Sequence, residues 1–269
     1  AKYLNEIRKK YHYPIGLKMY SSKHLNKRTQ KIALLLKDLD LMNISFQSLD
    51  PKILKSVKRS QLSFEEIRQH LDFARKNKIP TGTELIIGLP GETLESAKAT
   101  IDKTVGLRFD SVGIGILWLL RGAELATKDA REKYKFKSKF MLAENAISNI
   151  DGEISFEADE IAVASDTYSF EDYKVFLKYS FLCDFSIGSG YAKEFLFHGI
   201  SFGIKPSMIF DEILSNPDAY PVINEATELF LKCYIDHMFD TRKDLGDFIC
   251  KNVDRWVEQK KGITAISKS

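Results

Sequence analysis

Hydrophobic positions in the first half of the chain alternate between strand-like and helix-like spacing. Short apolar runs recur roughly every 30 residues and fit strands that are buried on both faces. They predict four strands, at residues 13–20, 41–47, 79–89 and 111–120. Apolar residues at helical spacing predict intervening helices at residues 29–39, 64–76 and 93–105. Strands that alternate with helices in this way form parallel sheets, either doubly wound or as part of a (β/α) barrel.

Local sequence signals predict where several helices begin. Asp50 followed by Pro51 is typical of an N-cap with proline at the first helical position. Ser63 with Glu66 three residues later is a capping box. Ser169 precedes a further helix that is rich in Phe and Tyr.

The second half of the chain has a different pattern. The spacing predicts a helix over residues 132–150 and a strand over residues 154–164. After about residue 165 the pattern is mainly helical. Helices are expected from residue 169 and at 191–199, 206–214, 222–237 and 244–259. We therefore expect an α/β portion over residues 1–125 and a mainly helical domain over residues 126–269.

Composition excludes several classes of protein. Of the 269 residues, 44% are hydrophobic, so disordered and collagen-like chains are ruled out. No run of about 18 apolar residues is present, so we expect no membrane-spanning helix. Cys183, Cys233 and Cys250 are too far apart for a CxxC-type metal site, and their odd number with no secretory signal favours a cytoplasmic protein. The five histidines are scattered, so no metal ligands are assigned.

Charge is unevenly distributed. Residues 1–60 hold 14 Lys and Arg against 4 Asp and Glu, a net charge of +10, whereas the whole chain carries +3. A solvated helix surface explains this bias most simply. A nucleic-acid partner is left open, although no nucleic-acid-binding motif accompanies the charge.

Three polar or glycine-rich signals follow predicted strands or helices. Gln47 and Ser48 come at the end of the second strand, and Arg59 follows the next helix. The sequence GLPGET, at residues 88–93, joins the third strand to a helix. Taken one at a time, each also fits a plain turn or a surface cation.

Taken together, these segments resemble the radical S-adenosylmethionine (radical SAM) superfamily. The order QSLD, Arg59, TELIIGLPGET and LLRGAEL is similar to the group that includes methylthiotransferases, coproporphyrinogen dehydrogenases and the cobalamin-dependent branch. The resemblance covers about residues 13–125. It implies a partial (β/α) TIM-like barrel fragment with parallel strands, followed by a mainly α-helical C-terminal region.

The resemblance also implies where S-adenosylmethionine (SAM) would lie, across the carboxyl ends of the strands. Gln47 and Ser48 would lie near its ribose and methionine, and Arg59 near its carboxylate. Its adenine would contact two strands, and Glu84 is included as a neighbour whose role is unsettled. The residues implied for adenine contact are Ile86, Ile87, Gly88, Leu117, Trp118 and Leu119.

The motif CxxxCxxC, which in that family ligates a [4Fe-4S] cluster, does not occur in this chain. Two explanations stay open: a fragment of a larger enzyme that carries the cluster, which the start of the chain favours, or a natural relative that lost it. The expected parent function is reductive cleavage of SAM to a 5′-deoxyadenosyl radical that modifies a small-molecule or macromolecular substrate. The fragment alone is expected to be inactive, and a cobalamin cofactor is left open.

The alternative is a non-catalytic module that binds a nucleotide or a partner. An unpaired edge strand of an incomplete barrel would also favour self-association.

Overall fold

The computed structural model describes residues 1–17, 24–39, 41–59, 62–151 and 153–252. It contains two compact units, each built from several stretches of the chain. The first unit comprises residues 1–87, 95–115 and 179–215. The second comprises residues 88–94, 116–178 and 216–269.

Two separate sheets are present in the described residues. The first has three strands in the order β1-β2-β3, and β1 is parallel to β2 with Met42 opposite Thr81. The second is an antiparallel hairpin of two long strands. The strands are β1 (Met42–Asn43), β2 (Thr81–Ile87), β3 (Ser111–Ile116), β4 (Lys137–Ile150) and β5 (Glu153–Ala164).

Helices flank both sheets and dominate the chain after residue 165. Those before β4 are α1 (Lys2–Tyr11), α2 (Lys27–Leu36), α3 (Pro51–Ser56), α4 (Phe64–Lys76), α5 (Leu94–Gly106) and α6 (Lys128–Tyr134). Those after β5 are α7 (Phe170–Cys183), α8 (Lys193–Ser201), α9 (Pro206–Ser215), α10 (Pro221–Ile235) and α11 (Arg242–Lys251). The expected α/β class, with parallel strands in an incomplete barrel and a mainly helical end, is confirmed. No helix among the described residues has both the length and the hydropathy needed to cross a bilayer.

The predicted helix caps are confirmed. Asp50 accepts a hydrogen bond from the Lys52 amide at 2.8 Å, with Pro51 beginning α3. Ser63 and Glu66 form the reciprocal capping box of α4. Because such caps depend on a few neighbouring residues, the sequence alone is enough to find them.

Two strand predictions in the first unit need correction. No strand forms over residues 13–17, and residues 18–20 of that predicted strand lie outside the described residues. Pro14 has no amide to donate to a ladder, and the Leu17 amide bonds the Leu39 carbonyl in a loop instead. The strand predicted over residues 111–120 ends at Ile116. The described sheet therefore has three strands rather than four.

The predicted helix over residues 132–150 is wrong beyond its first residues. Helix α6 ends at Tyr134, and β4 pairs with β5 along almost its whole length. The predicted strand over residues 154–164 is confirmed as β5. The antiparallel partner gives many backbone groups of β4 cross-strand hydrogen bonds in place of helical ones, and helical spacing alone does not reveal that partner.

A partly buried polar network joins α7 and α9 to α5 within the first unit. Lys98 on α5 lies 2.7 Å from the Asp211 carboxylate on α9. The Tyr179 hydroxyl donates to the same carboxylate at 2.6 Å. Asp102 accepts from both the amide and the hydroxyl of Ser207. These bonds fix the C-terminal helices of this unit against α5.

We expect His70 on α4 to make the stability of the first unit depend on pH. Its Nε2 accepts a hydrogen bond from the Leu25 amide at 3.1 Å, which requires an unprotonated nitrogen. Burial lowers the pKa of His70, the charge of Glu66 partly opposes this, and His24 adds to the lowering. The unfolded chain therefore binds a proton more readily than the folded one. We expect stability to be full above about pH 6.5, the ordinary histidine value, and to fall as the pH drops below it.

Urea unfolding at pH 7.5, 6.5 and 5.5 measures this dependence. We expect His70→Gln to flatten the pH profile, because glutamine does not titrate and its amide oxygen can accept the same bond. His198→Gln is the matched control, since His198 is exposed on α8. An unchanged slope in His70→Gln would contradict the prediction.

Candidate functional site

The face of the first sheet that carries Glu84 and Ile86 is its open face. In β2, Leu85 and Ile87 are buried, at 1% and 3% exposure, and their side chains alternate with those of Glu84 and Ile86. Glu84 and Ile86 are half-buried on the opposite face. Because strand side chains alternate, the predicted contact residues Glu84 and Ile86 share this face, whereas Ile87 faces the core.

The adjoining strand, β3, places very few side-chain atoms on this face. On β3, Ser111, Gly113 and Gly115 are the alternate positions beside Glu84 and Ile86. A methyl group built on Gly113 would lie 3.7 Å from the Glu84 side chain, which is ordinary contact. The two glycines thus leave backbone rather than side chains to meet a ligand.

Gln47 lies at the carboxyl end of the segment that extends β1. Its amide donates to the Glu84 carbonyl at 3.3 Å, and its carbonyl accepts from the Ile86 amide at 2.8 Å. Its backbone is left-handed, with φ of 57°, a conformation that non-glycine residues adopt at a cost. The side-chain Oε1 of Gln47 is buried and accepts no hydrogen bond from the described residues. A bound ligand that carries a donor could satisfy this buried acceptor.

Ser48 and Arg59 differ in how accessible their side chains are to a ligand. Ser48 is completely buried, and its hydroxyl oxygen accepts the Asp50 amide at 3.2 Å, so it shapes the turn before α3. Arg59 is exposed at the end of the turn after α3, where its amide bonds the Leu54 carbonyl. The Arg59 guanidinium makes no ion pair with the described residues, so it can reach a carboxylate.

The glycine-rich loop, residues 88–93, belongs to the second unit, and buried side chains of that unit bind its backbone. Gly88 has φ of 83°, and its amide donates to Glu92 Oε2 at 2.6 Å. The Leu89 amide donates to the same oxygen at 3.3 Å. Tyr168 donates its hydroxyl to the Gly88 carbonyl at 3.2 Å. Since a side chain at Gly88 would lie 3.0 Å from that hydroxyl, the glycine is required for the left-handed backbone and for the close approach of Tyr168.

Residues 117–119 continue from β3 into the second unit and pair with β5. The Leu119 amide donates to the Glu160 carbonyl, and the Ala162 amide donates to the Leu117 carbonyl. Leu117 and Leu119 are buried, whereas Trp118 is half-exposed between them. Of these three predicted contact residues, Trp118 has the most side-chain surface available to a ligand.

The cysteines of this chain do not suit an iron–sulfur cluster. Cys183 is fully buried, and burial together with the nearby Asp184 raises the pKa of its thiol to about 12. A protonated thiol is a poor metal ligand. No group of three or more His, Cys, Asp and Glu residues within the described part of the chain could hold a metal ion.

Sequence reasoning missed the most buried acid of the site. Glu92, the glutamate of the GLPGET motif, is only 1% exposed. Its position four residues after Gly88, at the start of a helix, is the signal that could have found it. A carboxylate there can bind the backbone amides of the preceding turn.

Comparison with known proteins found two kinds of similarity. The model of the radical SAM superfamily matches residues 2–104. Two solved structures of the radical SAM methyltransferase TsrM from Kitasatospora setae are also similar, one with cobalamin and a [4Fe-4S] cluster and one with tryptophan and a SAM analogue. They are 21% and 22% identical, with a TM-score of 0.34 for each. No curated protein matches the chain significantly.

The similarity to those structures covers only part of this chain and only part of each TsrM chain. It includes 43% and 44% of this chain but only 22% and 23% of the two TsrM chains. This chain therefore corresponds to less than a quarter of the length of either.

Proposed function

We propose, for a chain whose residues 2–104 belong to the radical SAM superfamily, that the open face of the first sheet binds SAM. In enzymes of this superfamily, SAM that receives one electron supplies a 5′-deoxyadenosyl radical, which abstracts hydrogen from a substrate. The contribution of this chain is to bind and orient that molecule.

The unsatisfied Oε1 of Gln47 is the observation that carries the proposal. It lies where the resemblance places the ribose of SAM, whose hydroxyl groups are donors. A ribose hydroxyl would remove the desolvation penalty that the buried oxygen otherwise imposes. Gly115 and Ile86 beside it offer backbone and apolar surface for the adenosyl group, and the exposed Arg59 offers a guanidinium for the methionine carboxylate.

Cleavage of SAM needs an electron donor, which the residues of this chain do not provide. The chain has no CxxxCxxC motif, and its buried Cys183 is held protonated. We therefore propose that the chain alone binds SAM without cleaving it, and that the radical reaction belongs to a larger enzyme.

Replacing Gln47 with leucine tests the proposal because affinity and stability should change in opposite directions. We expect calorimetric titration to show SAM binding weakened about tenfold, the effect of one lost hydrogen bond. The free energy of unfolding should stay the same or rise, since a buried acceptor without a partner has been removed. S-adenosylhomocysteine, which keeps the ribose, should show the same loss.

The matched control is Gln69→Leu, which changes the same residue type at an exposed position of α4. Equal affinity of SAM for the two variants, or no binding to the unsubstituted chain, would refute the proposal. Formation of 5′-deoxyadenosine by the chain alone under anaerobic reduction would refute the claim that it cannot cleave SAM.

A further inference from the structure

Helices α1 and α2 of the first unit carry a concentration of positive charge, which we call the basic surface. The two helices pack against each other, and no residue of α1 is fully buried. Glu6 is the one acidic residue in their sequences. All of their cations are exposed except Arg8, which is half-buried, so a partner can reach them. These cations are Lys2, Arg8, Lys9 and Lys10 on α1, and Lys27, Arg28 and Lys31 on α2.

The cations of the basic surface lack the counter-charges that a solvated helix surface usually carries. None of them forms an ion pair with a described residue, whereas cations elsewhere in the chain, such as Lys98 and Arg131, do. Lys27 and Lys31 are four residues apart on α2, and like charges at that spacing destabilise a helix. A polyanion across the two helices would relieve this repulsion and release counterions.

Three exposed tyrosines accompany these cations. Tyr3 and Tyr11 on α1 and Tyr13 just beyond it are 70%, 58% and 68% exposed. Their hydroxyl groups form no hydrogen bond within the described part of the chain, and Lys10 Nζ lies 5.0 Å from the centre of the Tyr11 ring. Exposed aromatic rings beside cations are the combination on which proteins stack the bases of single-stranded nucleic acids.

The aliphatic residues of α1 argue against a lipid surface as the partner. A helix that lies in a membrane interface turns a continuous apolar face outward. On α1, Leu4 and Ile7 are half-buried, and the exposed positions are mostly lysines and tyrosines. The exposed chemistry of this helix therefore fits phosphates and bases better than it fits acyl chains.

We propose that the basic surface binds single-stranded nucleic acid. The lysines and arginines of α1 and α2 pair with its phosphates, and Tyr3, Tyr11 and Tyr13 stack with its bases. RNA and DNA share both kinds of group, so the experiment includes one strand of each. This assignment goes beyond the proposed function and does not depend on SAM binding.

Fluorescence anisotropy of labelled oligouridylate and oligodeoxythymidylate, each of about twelve nucleotides, tests the proposal on the unsubstituted chain. We expect the logarithm of the association constant to fall linearly with the logarithm of the salt concentration, with a slope of about −3 for four paired phosphates. Preference for either strand would support the proposal and identify the sugar that is recognised. No binding of either strand at about 50 mM salt, or a slope near zero, would overturn it.

Two competitors without bases separate nucleic acid from other polyanions. Polyphosphate of the same charge should compete at least about tenfold less well than the unlabelled oligonucleotide, because it has no bases to stack on the tyrosines. Vesicles that contain phosphatidylserine should also compete poorly. Equal competition by polyphosphate, or stronger binding to the vesicles, would overturn the proposal.

Lys9→Ala combined with Lys10→Ala tests the cations of the basic surface. We expect this double variant to make the salt slope shallower by about 1.4, the contribution of two phosphate contacts. The matched control is Lys103→Ala combined with Lys205→Ala, which removes two exposed cations from other parts of the first unit. Equal slopes in the two double variants would show a general charge effect and overturn the proposal.

Tyr11→Ala tests stacking, because it removes a ring without changing the charge. We expect binding to weaken at least about fivefold while the salt slope stays the same. Tyr191→Ala, at a position of the first unit that is 77% exposed, should leave the affinity unchanged. Unchanged affinity in Tyr11→Ala, or a loss as large in Tyr191→Ala, would contradict stacking on the basic surface.

Unfolding and SAM titrations of the same variants separate this inference from the proposed function. The substituted side chains are exposed, so urea unfolding should be unchanged in all of them. Gln47→Leu should leave oligonucleotide binding unchanged. Oligonucleotide binding without SAM binding would support the basic surface and refute the proposed function, whereas SAM binding without oligonucleotide binding would refute the basic surface alone.

Discussion

Replacing Glu92 with alanine is expected to lower the free energy of unfolding by about 3 kcal/mol or more. The carboxylate of Glu92 is 1% exposed and accepts the amides of Gly88 and Leu89. Gly88 and Leu89 are themselves buried, so water cannot replace the lost acceptor. Each buried amide left without a partner costs about 1–3 kcal/mol, which is the basis of the expected size.

Urea unfolding followed by circular dichroism measures this effect, with two comparisons. Tyr168→Phe removes the hydroxyl that donates to the Gly88 carbonyl and should cost only about 1 kcal/mol. Glu95→Ala removes an exposed carboxylate three residues further along and should change stability by less than about 0.5 kcal/mol. A loss in Glu92→Ala no larger than in Glu95→Ala would show that the carboxylate does not hold the loop.

Replacing Arg131 with alanine is expected to cost about 3 kcal/mol. The guanidinium of Arg131 on α6 makes two parallel bonds to the Glu160 carboxylate on β5, at 2.7 and 2.8 Å. Ser138 on β4 donates to the same carboxylate at 2.6 Å. The Glu160 side chain is only 18% exposed, so the substitution leaves a poorly hydrated charge without its partner.

Thermal and urea unfolding at pH 7 measure this loss, and lower pH should reproduce part of it. Burial raises the pKa of Glu160, but the bonds from Arg131 and Ser138 outweigh burial, so the pKa lies below its ordinary value of 4.5. The stability that the pair contributes is present above that value and is lost as the pH falls through the folded-state pKa.

The matched control for Arg131→Ala is Lys128→Ala. Lys128 pairs with Glu132 at 3.7 Å on the same helix, but both side chains are exposed, so its loss should be about 0–0.5 kcal/mol. Equal effects of the two substitutions would contradict the prediction. Arg131→Ala in a Glu160→Ala background should cost clearly less than in the unsubstituted chain.

Elements set by neighbouring residues could be predicted from the sequence, whereas elements set by distant partners could not. The cap at Asp50 and the capping box at Ser63 depend on residues one turn away. The hairpin depends on β5, whereas the spacing within β4 alone predicts a helix. One local signal does point to the hairpin: Asp151 followed by Gly152 is a dipeptide typical of tight hairpin turns, and Asp151 has φ of 53°.

The residues of the candidate site also divide into those that the sequence was enough to mark and those whose environment depends on distant partners. The motif order was enough to mark Gln47, but it left the role of Glu84 unsettled. The sequence could not show that the Gln47 Oε1 has no donor, or that Ser48 is fully buried, because both depend on packing across the sheet. The role of Glu92 likewise depends on the left-handed turn at Gly88.

The bare face of β3 gives protein engineers a place to change the ligand preference of the first unit. A methyl group at Gly113 would lie 3.7 Å from Glu84, and one at Gly115 would lie 3.6 Å from the Leu85 carbonyl. Both distances are ordinary van der Waals contacts, so alanine fits at either position without displacing the backbone. A small library at these two sites could therefore narrow the open face stepwise while leaving Glu84 and Gln47 unchanged.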